Sequence, residues 1–296
     1  MYTIFTDDSI NTKVLPKRSS LVNFSLYKEL YCPILFRSFS IKYVSEGCEK
    51  YTVNGNKYHV RTGDYLLANH HSEGYVEIES TKAVKGICID VAPDLLSEVV
   101  ASYRRPDTPF SDLDLDPFFN SSQFYENKYQ SGQTHIGKFL HSLDVELSKN
   151  PFEKKEFSKE FYFSLAENIL LDHIPIYKQL QSVPSLRSAT RKDLLRRITK
   201  GKEFIDAHYT KSISVLTVAN ESNISEYHFY RLFKTFYGIS PKQYIVEKRL
   251  KYAISKLKKG NSTVTQIAIE SGFSDIHAFS KSFKNHFGVS PSTFQV

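Results

Sequence analysis

Apolar and polar positions alternate in short runs from about Ile34 to Val91, and turn residues break the runs at intervals too short for helices. In EKYTVNGNKYHV the pair Asn54-Gly55 separates two alternating segments. Both central positions of a type I′ turn need positive φ, so the pair predicts a hairpin. RTGDYLLAN follows, with Gly63-Asp64 as a second turn before an apolar strand, and then YVEIES and VKGICIDV predict two more strands. Repeated short strands without helices between them predict a small antiparallel barrel or sandwich.

Between about Asp107 and Tyr177 the period changes to that of helices. THIGKFLHSLDVELSK puts Ile136, Phe139, Leu140, Leu143 and Leu147 on one face, and FSKEFYFSLAENILLDHI does the same with Phe157, Phe161, Leu165 and Ile169. Those faces pack on the barrel, on each other or on a second copy of the chain. QSVPSLRSATRKD, polar and holding Pro184, is the best candidate for an interdomain linker. From Asp193 onward the pattern is helical throughout.

That last segment states one phrase twice. VANESNIS, residues 218–225, matches IAIESGFS, residues 267–274, at an offset of 49; Phe233-Lys234, Gly238 and Ser240-Pro241 match Phe283-Lys284, Gly288 and Ser290-Pro291 at an offset of 50. The second copy therefore carries one extra residue just after a turn. Each copy predicts a short helix, a tight turn holding Asn223 or Gly272, and a second helix. Gly238 or Gly288 ends that second helix, and Ser240 or Ser290 caps the next with proline at its first position. Phe229, Leu232, Phe233 and Phe236 form an apolar stripe on the first copy's second helix, and Phe279, Phe283 and Phe287 form its counterpart. Opposite lie Tyr227, Tyr230, Arg231 and Lys234 in one copy and Ile276, His277, Ser280, Lys281 and Lys284 in the other.

Charge sharpens this division. Residues 187–296 hold 19 Lys and Arg against 8 Asp and Glu, a net of +11, whereas residues 1–186 hold 20 against 24, a net of −4. A basic segment on a mildly acidic body predicts contact with a polyanion. A second helix that exposes cations and hydrogen-bonding groups suits the major groove: Arg231 and Lys281 reach guanine acceptors, and Lys234 and Lys284 reach phosphates.

At 296 residues, 41% of them hydrophobic and none of them Trp, the composition is that of a soluble globular protein of two or three domains. The N-terminus lacks a signal-peptide pattern and no apolar run is long enough to span a membrane, so a cytoplasmic location is expected. Cys32, Cys48 and Cys88 are odd in number and fit neither a disulfide framework nor a metal knuckle. No nucleophile elbow, Walker phosphate loop or dinucleotide glycine motif is present.

ISVLTVANESNISEYHFYRLFKTFYGISPKQYI, the helix VEKRLKYAISKLKK and TVTQIAIESGFSDIHAFSKSFKNHFGVSP together resemble the AraC/XylS family of bacterial transcription regulators from about Leu194 to Phe294. The resemblance implies an α+β chain: an N-terminal cupin-like antiparallel β-barrel with following helices, then an all-α, seven-helix domain of two helix-turn-helix motifs joined by a long helix. It implies domains at 1–106 (sensor barrel), 107–180 (helical dimerisation segment), 181–192 (linker) and 193–296 (DNA binding). Base-reading positions carry over to Tyr227, Tyr230, Arg231, Ile276, His277, Ser280 and Lys281. Asn223 departs from the usual turn glycine, and Ile276 stands where polar readers are common, though it suits a thymine methyl.

The expected partners are promoter DNA, RNA polymerase, a small effector and a second copy of the chain, with no membrane, and the expected action is activation. Tyr43, His59, His70, His71 and Tyr75 are the candidate effector pocket. His70-His71-Ser72-Glu73 invites a metal reading, but adjacent strand residues point to opposite faces, so no metal or other cofactor is expected. The competing reading is a cupin-type metal-dependent enzyme fused to a DNA-binding tail.

Overall fold

The computed structural model describes residues 2–6, 20–36, 38–102, 115–150, 153, 155–183, 187–259 and 262–294. They form two compact units, residues 1–178 and 179–296.

The first unit is built on one eight-stranded sheet. Its strands are β1 (Tyr2–Thr6), β2 (Leu21–Leu35), β3 (Phe39–Glu46), β4 (Cys48–Val53), β5 (Asn56–Arg61), β6 (Asp64–Ala68), β7 (Glu73–Val91) and β8 (Asn127–Gln130). The main order is β1-β2-β7-β3-β6-β8, and β4 joins β7 and β5 off that path. Among the described residues only the β1–β2 pair is parallel. Among the described residues β1 and β8 stand unjoined at the two ends, so the ladder does not close into a barrel.

The predicted hairpin forms as β4 and β5, with Val53 opposite Asn56 and positive φ at both Asn54 (48°) and Gly55 (80°). Gly63, at φ 81°, turns the chain into β6. Three expectations change. YVEIES and VKGICIDV are one strand, β7, because the polar stretch between them stays paired or extended at the solvent side instead of turning. Strand structure begins well before Ile34, since β2 pairs along most of β7. The 107–177 stretch also returns a strand, β8, to the edge of β6; four residues are too few to show a period.

Helices follow: α1 (Pro93–Ser102), α2 (Leu115–Phe119), α3 (His135–Lys149) and α4 (Lys159–Gln181). Thr134 caps α3 by accepting from Gly137 N–H, and Asp172 of α4 accepts from the His135 and Ile136 N–H groups. Ile136, Leu140, Leu143 and Leu147 are buried on α3 and Leu165 and Ile169 on α4, while Phe139 and Phe161 are half-buried.

The second unit is helical: α5 (Ser188–His208), α6 (Val215–Glu221), α7 (Glu226–Tyr237), α8 (Pro241–Leu257), α9 (Val264–Glu270), α10 (Ile276–Phe287) and a closing 3-10 turn, Pro291–Phe294. The seventh element expected of the domain is thus this 3-10 turn. Ser240 caps α8 in a reciprocal capping box with Gln243, and Thr263 does the same for α9 with Gln266.

Candidate nucleic-acid interface

Two helix-turn-helix heads are present, α6–α7 and α9–α10. The extra residue of the second copy falls in the connection between its helices: four residues separate α6 from α7, and five separate α9 from α10. Both second helices stop at a left-handed glycine, Gly238 (φ 76°) and Gly288 (φ 77°), whose N–H returns to the carbonyl of Lys234 or Lys284.

Each second helix is split lengthwise. On α7, Phe229, Leu232, Phe233 and Phe236 are buried; on α10, Phe279 and Phe283 are buried and Phe287 is half-buried. The second head's core rests on α8 through Leu250, Ala253 and Leu257, which meet Ile267, Ala268, Phe273, Phe279 and Phe283. Opposite the phenylalanines, Tyr227 is 77% and Tyr230 45% exposed, and Arg231 and Lys234 are exposed. Their counterparts His277, Lys281 and Lys284 are exposed, while Ile276 and Ser280 are half-buried. The structure therefore brings the named residues into one outward stripe per head, with the two nonionic members of the second stripe set deeper.

The turns are held differently. Asn223 takes φ 52° and its carbonyl accepts from Arg197 Nη1 of α5 at 3.1 Å. Gly201 lets α5 approach that turn, since a Cβ there would fall 2.4 Å from Ser222 Oγ and 2.5 Å from the Phe229 ring. Gly272 takes φ 89°, and a Cβ there would fall 2.7 Å from the Thr210 carbonyl oxygen and 2.8 Å from that of Tyr209. A side-chain cap is made by Asp275, which accepts from Ala278 N–H at 2.7 Å; Ser225 makes none for α7. Between α5 and α8, Asp206 accepts from Lys202 at 2.9 Å, Lys248 at 2.8 Å and Tyr244 at 2.8 Å. Burial alone would raise the Asp206 pKa, yet these donors hold it below the ordinary carboxylate value.

In the first unit the contacts of the candidate effector residues lead to different elements. Tyr43 is buried with its hydroxyl toward Asp144 of α3, at 3.4 Å, and His59 is exposed between the buried Tyr58 and Val60. His70 and His71 follow β6 in a turn rather than a strand, with rings 4.4 Å apart, and His71 Nε2 lies 2.9 Å from the Asn120 carbonyl oxygen. Tyr75 sits on β7 with its ring 5.6 Å from Tyr31. Among the described residues no three His, Cys, Asp or Glu side chains are grouped to hold a metal ion. No helix among them is long and apolar enough to cross a membrane.

A different polar set does converge there. Asn23, Cys88 and Lys42 are opposed in one row across β2, β7 and β3, and Asp90 and Ser40 are opposed in the next row along β7 and β3. Lys42 contacts the Cys88 thiol, Ser40 donates to Asp90, and Tyr51 donates to the buried Glu49. Gly86 leaves the space that Ser25 Oγ and Glu49 Oε1 occupy, each under 3 Å from where its Cβ would stand. An apolar shell of Val44, Leu66, Ala68, Tyr51, Val53 and Val60 belongs to the same side. Burial opposes the Lys42 ammonium, but Cys88, Asp90 and Glu49 more than offset it and its pKa is raised. Burial pushes the Cys88 thiol up to about 11, aided by Asp90, and raises Glu49. It is strand register that brings this set together.

Residues 218–295 match a family model described as a helix-turn-helix domain. Over 98 residues the chain is 36% identical to the Msm operon regulatory protein of Streptococcus mutans, covering 33% of this chain and 35% of that protein's length, so it spans about a third of that relative. Over 85 residues it is 34% identical to PqrA of Proteus vulgaris, a probable transcription factor, covering 29% of this chain and 70% of that one. Among solved structures, ToxT from Vibrio cholerae is similar at 16% identity and a TM-score of 0.37, over 92% of this chain and 97% of that one.

Proposed function

We infer, for a chain that belongs to the AraC/XylS family of transcription regulators, that it binds double-stranded promoter DNA sequence-specifically and activates transcription. The observation that carries this is the division of α7 and α10. Each buries its phenylalanine stripe and turns outward a cationic, hydrogen-bonding stripe at matching positions. Tyr227, Tyr230, Arg231, Ile276, His277, Ser280 and Lys281 meet base edges; Lys234 and Lys284 meet phosphates. Two heads in one chain suit two half-sites on successive major grooves, about 34 Å or one helical turn apart. RNA polymerase is the partner that activation requires.

Residues 193–296 carry the DNA contacts, 181–192 link them to the rest, 107–180 mediate association with a second copy, and 1–106 sense an effector. The sensing site is the set Asn23, Ser40, Lys42, Glu49, Tyr51, Cys88 and Asp90, because a few convergent polar groups inside an apolar wall are the usual make-up of a small-molecule pocket.

In vitro selection of random duplexes with the full-length chain tests the DNA reading. A recovered motif of two half-sites one turn apart is expected, and equal retention of all sequences would refute it. Thermal-shift screening against metabolites tests the sensor: a stabilising compound should lose its effect in Lys42→Ala, and one that still stabilises that variant places the pocket elsewhere.

A further inference from the structure

The second head is tied to more than its own core. Arg249, half-buried midway along α8, donates from Nε to the Tyr209 carbonyl at 2.6 Å and from Nη2 to the Lys211 carbonyl at 2.9 Å. Tyr209 is the C-cap of α5, where helix carbonyls lack partners and the dipole is negative. The guanidinium also lies over the Phe273 ring, 5.8 Å from its centroid, and Phe273 follows Gly272 in the second head's turn. That turn rests on the carbonyls of Tyr209 and Thr210, close enough that only glycine fits. One side chain thus joins α8, the end of α5 and the turn of the second head. Arg197 does the corresponding work for the first head, from α5 to Asn223.

We propose that Arg249 is a positioning residue that sets the second head relative to the first, and so sets the half-site spacing the protein accepts. The inference rests on the reading that both heads engage one duplex. Arginine is needed because its planar fork reaches two carbonyls while its face stays free to stack; a lysine ammonium reaches from a single point. Adding one base pair between half-sites moves the second by about 3.4 Å along the axis and about 35° around it. A clamped head cannot follow that shift, and a released one can.

The test uses full-length chain and the site selected by the wild type, with fluorescence-anisotropy titrations at fixed salt on that site and on versions with one base pair inserted or removed between its halves. Wild type should weaken by about tenfold or more on either altered spacing, the range of a lost specific contact set. Arg249→Lys, which keeps the charge and the stem, should discriminate the spacings by no more than about threefold and keep the base preference of each half. Phe273→Leu, which keeps the apolar bulk and removes the ring, should move discrimination the same way by a smaller factor, and it decides the matter if the lysine variant does not fold by circular dichroism. Wild-type discrimination in folded variants, or an equal loss on every spacing, would overturn the proposal. A wild type indifferent to spacing would overturn the two-head reading itself, before any variant is made.

Discussion

The two heads answer one backbone demand with different residues. Each turn needs a left-handed residue, and the first supplies Asn223 where the second supplies Gly272. Asn223 is exposed and has only the positive φ to satisfy, which asparagine does at modest strain. Gly272 must also let two carbonyl oxygens stand 2.7 and 2.8 Å from where a Cβ would be. One position is conformational, the other conformational and steric. The N-caps differ as well: the Asp275 side chain accepts from the Ala278 N–H of α10, whereas the Ser225 side chain makes no such bond to α7. Matching cores therefore do not make equivalent heads.

Exchanging the turn residues probes the difference most strongly. Gly272→Asn should cost at least about 2 kcal/mol, because a clash with backbone oxygens adds to the strain. Asn223→Gly should change stability by less than about 1 kcal/mol. Thermal unfolding of the two variants checks both, and similar losses would erase the distinction. Next in size, Arg231→Ala and its counterpart Lys281→Ala should each cost about 1–3 kcal/mol at the selected site and relax preference in one half-site only. Titrations on single-base variants of the site would show it, and a loss spread over both halves would contradict the assignment. Lys234→Ala and Lys284→Ala should weaken binding to every sequence and reduce the slope of log K against log salt by about 1 each.

The smallest effect is one of pH. The Ala278 and Ser274 bonds lower the folded-state pKa of Asp275 below the carboxylate's ordinary value. Its contribution is therefore present above that ordinary value and is lost as pH falls through it toward the lower folded one. Hydrogen exchange at the start of α10 should accelerate over that acidic window relative to the start of α7, where Ser225 does not titrate. Equal behaviour at both helices would remove the cap from the comparison.

Much of the second unit is legible in the sequence because its signals are local. A repeated phrase, a glycine after each second helix and a Ser-Pro beyond it place α7, α8 and α10 closely, and helical period sorts Phe233 from Arg231 without any tertiary information. The first unit is less legible. Asn54-Gly55 announces its hairpin, but β6 is buried on both faces and β3 over most of its length, so alternation cannot say which face is inner. Nothing in the local pattern therefore separates Tyr43, aimed at α3, from its neighbour Lys42, in the polar set.

The sequence by itself determined the two heads, their cores and the side chains they turn outward, since helix period, turn residues and caps act over a few residues. Only the tertiary structure decided which polar residues meet inside the sheet, because that depends on register between strand positions up to 69 apart, as Leu21 opposite Asp90 shows, with Asn23 opposite Cys88 at 65. It also decided that Arg249 closes on Tyr209 and Lys211, about forty residues back along the chain, 40 and 38 positions respectively. A guanidinium in the middle of a helix carries no local sign of the carbonyls it will meet; their place is set by how α5 and α8 pack.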